Sequence, residues 1–261
     1  MFIKRVALKG MAAAAALTFA LGIAGGAMAG EAAHPHWTYE GEHGPEHWAA
    51  ISHDYAACGE GKTQSPIDIG GAQEEPMPDI GFSYKPSKIN ILNNGHTVQV
   101  NYDAGSSIKV DGADYSLAQF HFHDPSEHTV GGKSYAMELH LVHKNAKGGL
   151  AVVGVLIGEG KENAAFARMW KDLPKKADDK TTLDAQINAE DLLPKDRAYY
   201  RYAGSLTTPP CSEGVTWLVL KEPIEMSKAQ VDAFRSVIDG NARPVQPLEG
   251  RKVRSKAAAT H

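Results

Sequence analysis

The sequence predicts a mainly β protein, a single domain built on a large central sheet with peripheral helices. Three observations point that way. Apolar and polar residues alternate with period two in several stretches, the pattern of a strand with one buried face. Gly 26 and Pro 14 supply many turns, which suits strands joined by loops better than a helix bundle. No internal repeat or long linker interrupts the 261 residues, a length that β-rich domains often reach as one unit.

In chain order, residues 34–53 hold five histidines among Trp37, Tyr39 and Trp48. Their irregular spacing fits a packed N-terminal segment better than a metal-sequestering tract. INILNNGHTVQVNY (89–102) carries a Val98-Gln99-Val100 alternation after an Asn-Asn-Gly turn signal. SSIKVDGADYSLAQFHFH (106–123) reads as two strands around Asp111-Gly112. SYAMELHLVHKN (134–145) alternates, GLAVVGVLIGEG (149–160) is a continuous apolar run suited to a central strand, and VTWLVLKEPI (215–224) is another strand. Helices are expected over Asn163–Asp172 and after Ser227-Lys228-Ala229-Gln230, which has the form of a capping box.

Residues 1–29 read as a cleavable signal peptide. Lys4, Arg5 and Lys9 form a basic start, and an apolar run ends in Ala27-Met28-Ala29, an A-x-A signal. The run is short for a membrane span. The mature chain is expected to be periplasmic or secreted, with no stable membrane anchor. Removing the peptide leaves 24 basic against 31 acidic side chains, a net charge of about −7 with histidine neutral. That balance argues against a nucleic-acid partner. The domain is expected over 30–250, with 251–261 a basic, frayed tail. Cys58 and Cys211 are the only cysteines, and an even count in an exported chain implies a disulfide.

The chemistry concentrates in QFHFHDPSEHTV (119–130). On a strand, Gln119, His121 and His123 share one face, and Phe120 and Phe122 anchor the other. A second strand repeats the pattern: Glu138, His140 and Val142 share a face, while His143 points away. Pairing the two strands brings His140 beside His121 and His123. Three imidazoles with one open position suit a catalytic zinc ion, whereas structural zinc sites are usually closed by four ligands rich in cysteine. Gln119 and Glu138, each two residues before a ligand on its face, can fix a ring tautomer.

QFHFH, SEHTV, ELHLVH, NNGH, QSPIDI, SLTTPP and VTWLVLKEPI together resemble the α-class carbonic anhydrases, over about Trp37 to Leu248. The signal peptide and two cysteines resemble the bacterial exported members. The resemblance implies a mostly antiparallel, twisted ten-stranded sheet with a conical cavity, and reversible hydration of carbon dioxide to bicarbonate. It implies zinc on His121, His123 and His140, and Thr207 as the gatekeeper hydroxyl, oriented by Glu127. It makes His96 a proton shuttle, with Tyr39, Asn94 and Gln99 ordering the intervening water. Val142, Val152, Leu206, Val215 and Trp217, with Thr208, would line the substrate pocket. The backbone carbonyl of Asn241 would support a zinc-bound imidazole. Neither His128 nor His143 is a ligand in the family pattern. Ser65-Pro66 and Pro209-Pro210 are expected to be cis. Anions and sulfonamide-type inhibitors are expected ligands, and the bacterial members leave a homodimer open.

The sequence departs from the animal members after His123, where Asp124-Pro125-Ser126 begins a shorter connection. Cys211 directly follows the threonine loop, so a Cys58–Cys211 bridge would tether it. Among rival classes, a non-catalytic module on this fold would typically lack one of the zinc histidines. A zinc peptidase would need H-E-x-x-H, a zinc deaminase P-C-x-x-C and a serine hydrolase G-x-S-x-G, and none of these occurs.

Overall fold

The computed structural model describes residues 35–256. The expected signal peptide, its cleavage point after Ala29 and the chain beyond 256 lie outside the described residues. No helix among the described residues is long and apolar enough to cross a membrane.

Among the described residues, twelve strands form one sheet: β1 (Gln73–Glu74), β2 (Gly81–Ser83), β3 (Ser87–Asn93), β4 (Val98–Asn101), β5 (Ser107–Val110), β6 (Ala113–His123), β7 (Met137–Lys144), β8 (Leu150–Glu159), β9 (Lys180–Ile187), β10 (Tyr199–Ser205), β11 (Glu213–Met226) and β12 (Arg254–Ser255). Ten run side by side in the order β1-β12-β10-β11-β8-β7-β6-β4-β3-β9, and β2 and β5 branch from β6. Most neighbours are antiparallel, but β8 and β11 are parallel, as are β1 and β12. The sheet is therefore mixed, and two strands larger than the expected ten.

The continuous apolar run of β8 earns its central place. Ala151, Val153, Val155 and Ile157 feed one hydrophobic cluster, and Val152 and Leu156 feed another. A strand buried on both faces has no solvent side to mark with polar residues. Strands β9 and β10 have no counterpart in the sequence reading. In β9 the polar KTTLDAQI lies on the sheet's outer edge, with mostly exposed or half-buried side chains, and edge strands tolerate such composition. The tail expected to fray from 251 does not do so before 256: β12 pairs with both β1 and β10. Backbone pairing holds it, a signal that side-chain composition does not carry.

Helices α1 (Trp48–Ile51) and α2 (Ala57–Glu60) lie in the N-terminal segment, and α3 (Ala164–Trp170) and α4 (Lys228–Arg235) are peripheral. The capping box on α4 is formed by Ser227 and Gln230. Phe122 of β6 meets Phe166, Trp170 and Phe234 from these two helices, with ring centroids 5.0–6.1 Å away. Phe120 and Phe122 are fully buried, a burial that stabilises by about 2–3 kcal/mol each. Those phenylalanines fix the rotation of β6, and so aim His121 and His123 to the opposite face.

The N-terminal segment packs as expected. Trp37, Trp48, Tyr55, Cys58 and Cys211 form one apolar cluster, and Cys58 and Cys211 are bridged. Ser65–Pro66 and Pro209–Pro210 are cis, and Asp124–Pro125 is a third cis bond.

Candidate metal centre

His121 and His123 project from β6 and His140 from β7, with His121 directly opposite His140. The ring centroids stand 5.0 Å apart for His121–His123, 5.3 Å for His121–His140 and 4.5 Å for His123–His140. One nitrogen of each ring lies within 4.8 Å of the other two. His121 is half-buried, while His123 and His140 are buried.

Each ring is held by the nitrogen facing away from this point. His121 Nδ1 donates to Gln119 Oε1 at 2.9 Å. His123 Nδ1 donates to the Asn241 carbonyl at 2.8 Å. His140 Nε2 donates to Glu138 Oε1 at 3.0 Å. The nitrogens left over are Nε2, Nε2 and Nδ1, each a lone pair. His123 Nε2 is buried without a hydrogen-bond partner, a costly state for a polar atom that a metal ion would relieve.

The electrostatics point the same way. Burial pushes the pKa of His121 well below its ordinary value, with its two histidine neighbours adding to the effect. Burial takes His123 down to about 4. Burial also lowers His140, although Glu138 opposes the shift. Three neutral imidazoles are the metal-binding form, so the donor set fits an ion that takes nitrogen ligands.

A second cluster, His128, Glu138 and His140, also brings metal-binding atoms together, but they are spent on one another. Glu138 Oε1 accepts from His128 Nδ1 at 2.7 Å and from His140 Nε2, and Oε2 accepts from the His128 backbone N–H at 2.9 Å. Burial alone would raise the Glu138 carboxyl, but His128 and His140 outweigh it and hold it well below the usual range. Gly154, opposite His140 on β8, makes the room: a Cβ there would stand 3.0 Å from Glu138 Oε1 and 3.3 Å from Val219.

Beyond the imidazoles stands Glu127, buried, with Oε2 3.5 Å from His123 Nε2 and 3.8 Å from His140 Nδ1. Its Oε1 accepts the Arg243 backbone N–H at 2.9 Å. Burial raises this carboxyl to about 7, against the pull of His140, that N–H and the Thr207 hydroxyl. Thr207 is near enough to lower it, yet Oε2 makes no hydrogen bond of good geometry.

Val152, Val215 and Trp217 share one apolar cluster, with Val142 and Leu206 packed against it. Trp217 stands 4.8 Å from the His140 ring. Thr208 is half-buried at the same loop and its carbonyl accepts from the Cys211 N–H at 2.8 Å. Gln99 sits opposite His121 on β4. The Asn94 side chain accepts from the backbone N–H groups of His96 and Thr97, closing the turn that carries His96. His96 stacks flat on Trp37, with centroids 3.7 Å apart at 7°. Burial, then His36, lowers its pKa. Tyr39 is raised well above 10, by burial and then by Glu127. A pocket of about 290 Å³ lined by His36, Trp37, Tyr39, His96 and Asn241 lies beside this segment, and none of the three imidazoles lines it.

Three features escaped the sequence reading. His128 holds Glu138, a role whose only trace is a histidine ten residues before a strand glutamate. Arg243, buried beneath Glu127, carries no local signal in ARPVQP. Asp124, read only as the start of a shorter connection, receives a two-pronged bond from Arg235 at 2.6 and 3.0 Å. His143 faces away from the imidazoles, as its alternation predicts, and bonds Tyr84 at 2.8 Å.

Fold and site together define a class: single-domain, mainly β proteins whose sheet presents three converging imidazoles able to hold a metal ion. Comparison with known proteins narrows it. The family model for eukaryotic-type carbonic anhydrase matches residues 43–257. The chain belongs to this family, the α-class carbonic anhydrases. It is 47% identical over 221 residues to the carbonic anhydrase of Klebsiella pneumoniae, covering 84% of this chain and 90% of that one. For the carbonic anhydrase of Neisseria gonorrhoeae the figures are 45% over 222 residues, 84% and 88%. The α-carbonic anhydrase of Thermovibrio ammonificans, solved with the inhibitor sulfanilamide, matches with a TM-score of 0.83 at 48% identity, covering 84% of this chain and 99% of that one.

Proposed function

We propose that this chain catalyses the reversible hydration of carbon dioxide to bicarbonate and a proton, with zinc held by His121, His123 and His140. The observation that carries the reading is the set of three anchored, neutral imidazoles whose free nitrogens converge. When bound, zinc supplies acidity: in carbonic anhydrases, the standard case of this chemistry, it lowers the pKa of water from about 15.7 to about 7.

The chain's own groups do the rest. An ionised Glu127 can only accept, so the Thr207 proton is drawn to it and the Thr207 oxygen turns a lone pair to the site. That oxygen accepts from a donor and repels an acceptor, which selects the orientation of what reacts there. Val142, Val152, Leu206, Val215 and Trp217 offer an apolar wall to an apolar substrate, with Thr208 at its margin. An imidazole can take up and release a proton, and His96, although burial and then His36 lower its pKa, is our candidate to relay the released proton through water to buffer. Tyr39, Asn94 and Gln99 are the polar groups we assign to ordering the intervening water. By relation to the sulfanilamide-bound neighbour, sulfonamides are expected inhibitors; anions are expected on the family resemblance alone. An exported location rests on the sequence of residues 1–29.

Stopped-flow carbon dioxide hydration with metal analysis tests the reading. Purified protein is expected to hold one zinc per chain and to hydrate carbon dioxide far faster than buffer. Stoichiometric zinc without that rate refutes the function. His96→Ala should lower turnover at low buffer, with rescue by imidazole and little change in the second-order rate. Unchanged turnover removes His96 from the mechanism.

A further inference from the structure

Buried hydrogen bonds run from the metal centre to the threonine loop without a break. They begin at His140 Nε2 and Glu138 Oε1 and pass to His128 Nδ1. From the far side of that ring, His128 Nε2 stands 2.6 Å from the Tyr202 hydroxyl. Tyr202 lies 2.9 Å from Ser65 Oγ. Ser65 and Ser205 then clasp each other: the Ser205 N–H donates to Ser65 Oγ at 3.1 Å, and the Ser65 N–H donates to Ser205 Oγ at 2.9 Å. Ser205 Oγ donates to the Leu206 carbonyl at 2.7 Å, one residue before Thr207.

Every member is buried or nearly so, and the packing around the chain is specific. Trp217 lies 4.8 Å from both His128 and His140, stacks on Tyr202 at 9°, and donates its indole N–H to the Ser205 carbonyl at 2.9 Å. The β10–β11 register slips between Gly204 and Ser205, which is where β10 turns into the threonine loop. A Cβ on Gly204 would collide with Ser65 Oγ and come within 2.7 Å of Trp217 and 2.8 Å of Tyr202. That close approach of β10 to Ser65 needs a residue without a side chain.

We propose that Tyr202 is a positioning residue that couples the hold on the metal to the pose of the threonine loop. The inference rests on the proposed metal site. Low-dielectric polar chains with every partner satisfied act as a unit, and partners behind metal-ligating histidines tune affinity. Tyr202 joins the histidine side of this chain to the serine side. Without its hydroxyl, His128 Nε2 and Ser65 Oγ each lose a partner, and the metal side and loop side are freed from one another.

The test compares Tyr202→Phe with Tyr84→Phe. Both delete a hydroxyl bonded to a buried histidine, but Tyr84 bonds His143 and takes no part in the chain. Two quantities are read below the melting transition: zinc release to a chelator, and amide hydrogen exchange at Ser205 and Leu206 in metal-free protein. Tyr202→Phe should release zinc about tenfold faster and speed exchange at both amides, while Tyr84→Phe moves neither. Equal zinc release in the two variants overturns the proposal, as does unchanged exchange at Ser205 and Leu206 in Tyr202→Phe. If Tyr202→Phe does not fold, Ser65→Ala removes the next link and is held to the same outcomes. A wild-type protein that takes up no zinc defeats the metal reading itself, and the exchange measurement then decides the linkage alone.

Discussion

Arg243 donates its backbone N–H to Glu127 while its guanidinium reaches the carbonyl of Cys58, at 2.9 Å each. The same guanidinium donates to Gln64 Oε1 at 2.9 Å and to the Ser65 carbonyl at 2.8 Å, and lies over Trp48. One residue thus fastens the buried carboxylate, the disulfide and the segment leading into Pro66. Burial lowers its pKa to about 10, which leaves it charged at neutral pH. Arg243→Ala strands three buried acceptors, and each costs about 1–3 kcal/mol. Urea titration should show a loss of at least about 3 kcal/mol, with Arg243→Lys recovering part of it. A loss below about 1 kcal/mol contradicts this account.

Glu138 and Gln119 should differ in what they contribute to metal retention. Glu138 accepts from three donors in a buried place, whereas Gln119 serves the half-buried His121. Outer partners of ligating histidines are worth about 10–100-fold in affinity. Glu138→Ala is expected at the upper end and Gln119→Ala at the lower, measured by competition with a chromophoric chelator. The reverse order would show that burial does not set the hierarchy.

The disulfide closes a separation of 153 residues, for which the chain-entropy relation gives about 5 kcal/mol. Cys211 is also three residues from Thr208, whose carbonyl it caps. Reduction under non-denaturing conditions should therefore lower both the melting temperature and the hydration rate. Activity that stays at the oxidised level would separate the bridge from the loop.

His143 gives the stability a pH dependence. Burial lowers it from an ordinary 6.5 to about 4, against the pull of two backbone carbonyls. Above pH 6.5 neither the folded nor the unfolded state protonates it, and its contribution is complete. Between 6.5 and 4 the unfolded chain takes up a proton that the folded one refuses, so stability falls as pH falls. The loss approaches on the order of 3 kcal/mol near pH 4. In urea titrations from pH 7 to 4.5, His143→Gln should show a shallower decline than wild type. Parallel slopes would assign the acid sensitivity elsewhere.

How far the sequence could be read depended on where each signal lay. His121 and His123 were legible because strand alternation puts i and i+2 on one face, and Phe120 and Phe122 identify the buried back. His140 followed from the same alternation in a second strand. Strand β10 was missed because YYRYAGS carries no clean alternation, and β9 because its polar residues suit an edge. Arg243 was illegible for a different reason: its partners Cys58, Gln64, Ser65 and Glu127 are brought to it only by the finished fold. The stacking of His96 on Trp37 likewise joins two segments that no local pattern relates.

The pairing of β1 with β12 sets an order of events during synthesis. Gln73 has Arg254 as its register partner, about 180 residues downstream. A ribosome adding about 5–20 residues per second leaves β1 waiting on the order of ten seconds or more for that neighbour. This margin of the sheet is completed only when Arg254 and Ser255 have emerged, so a chain halted before Arg254 carries an open edge along both β1 and β10.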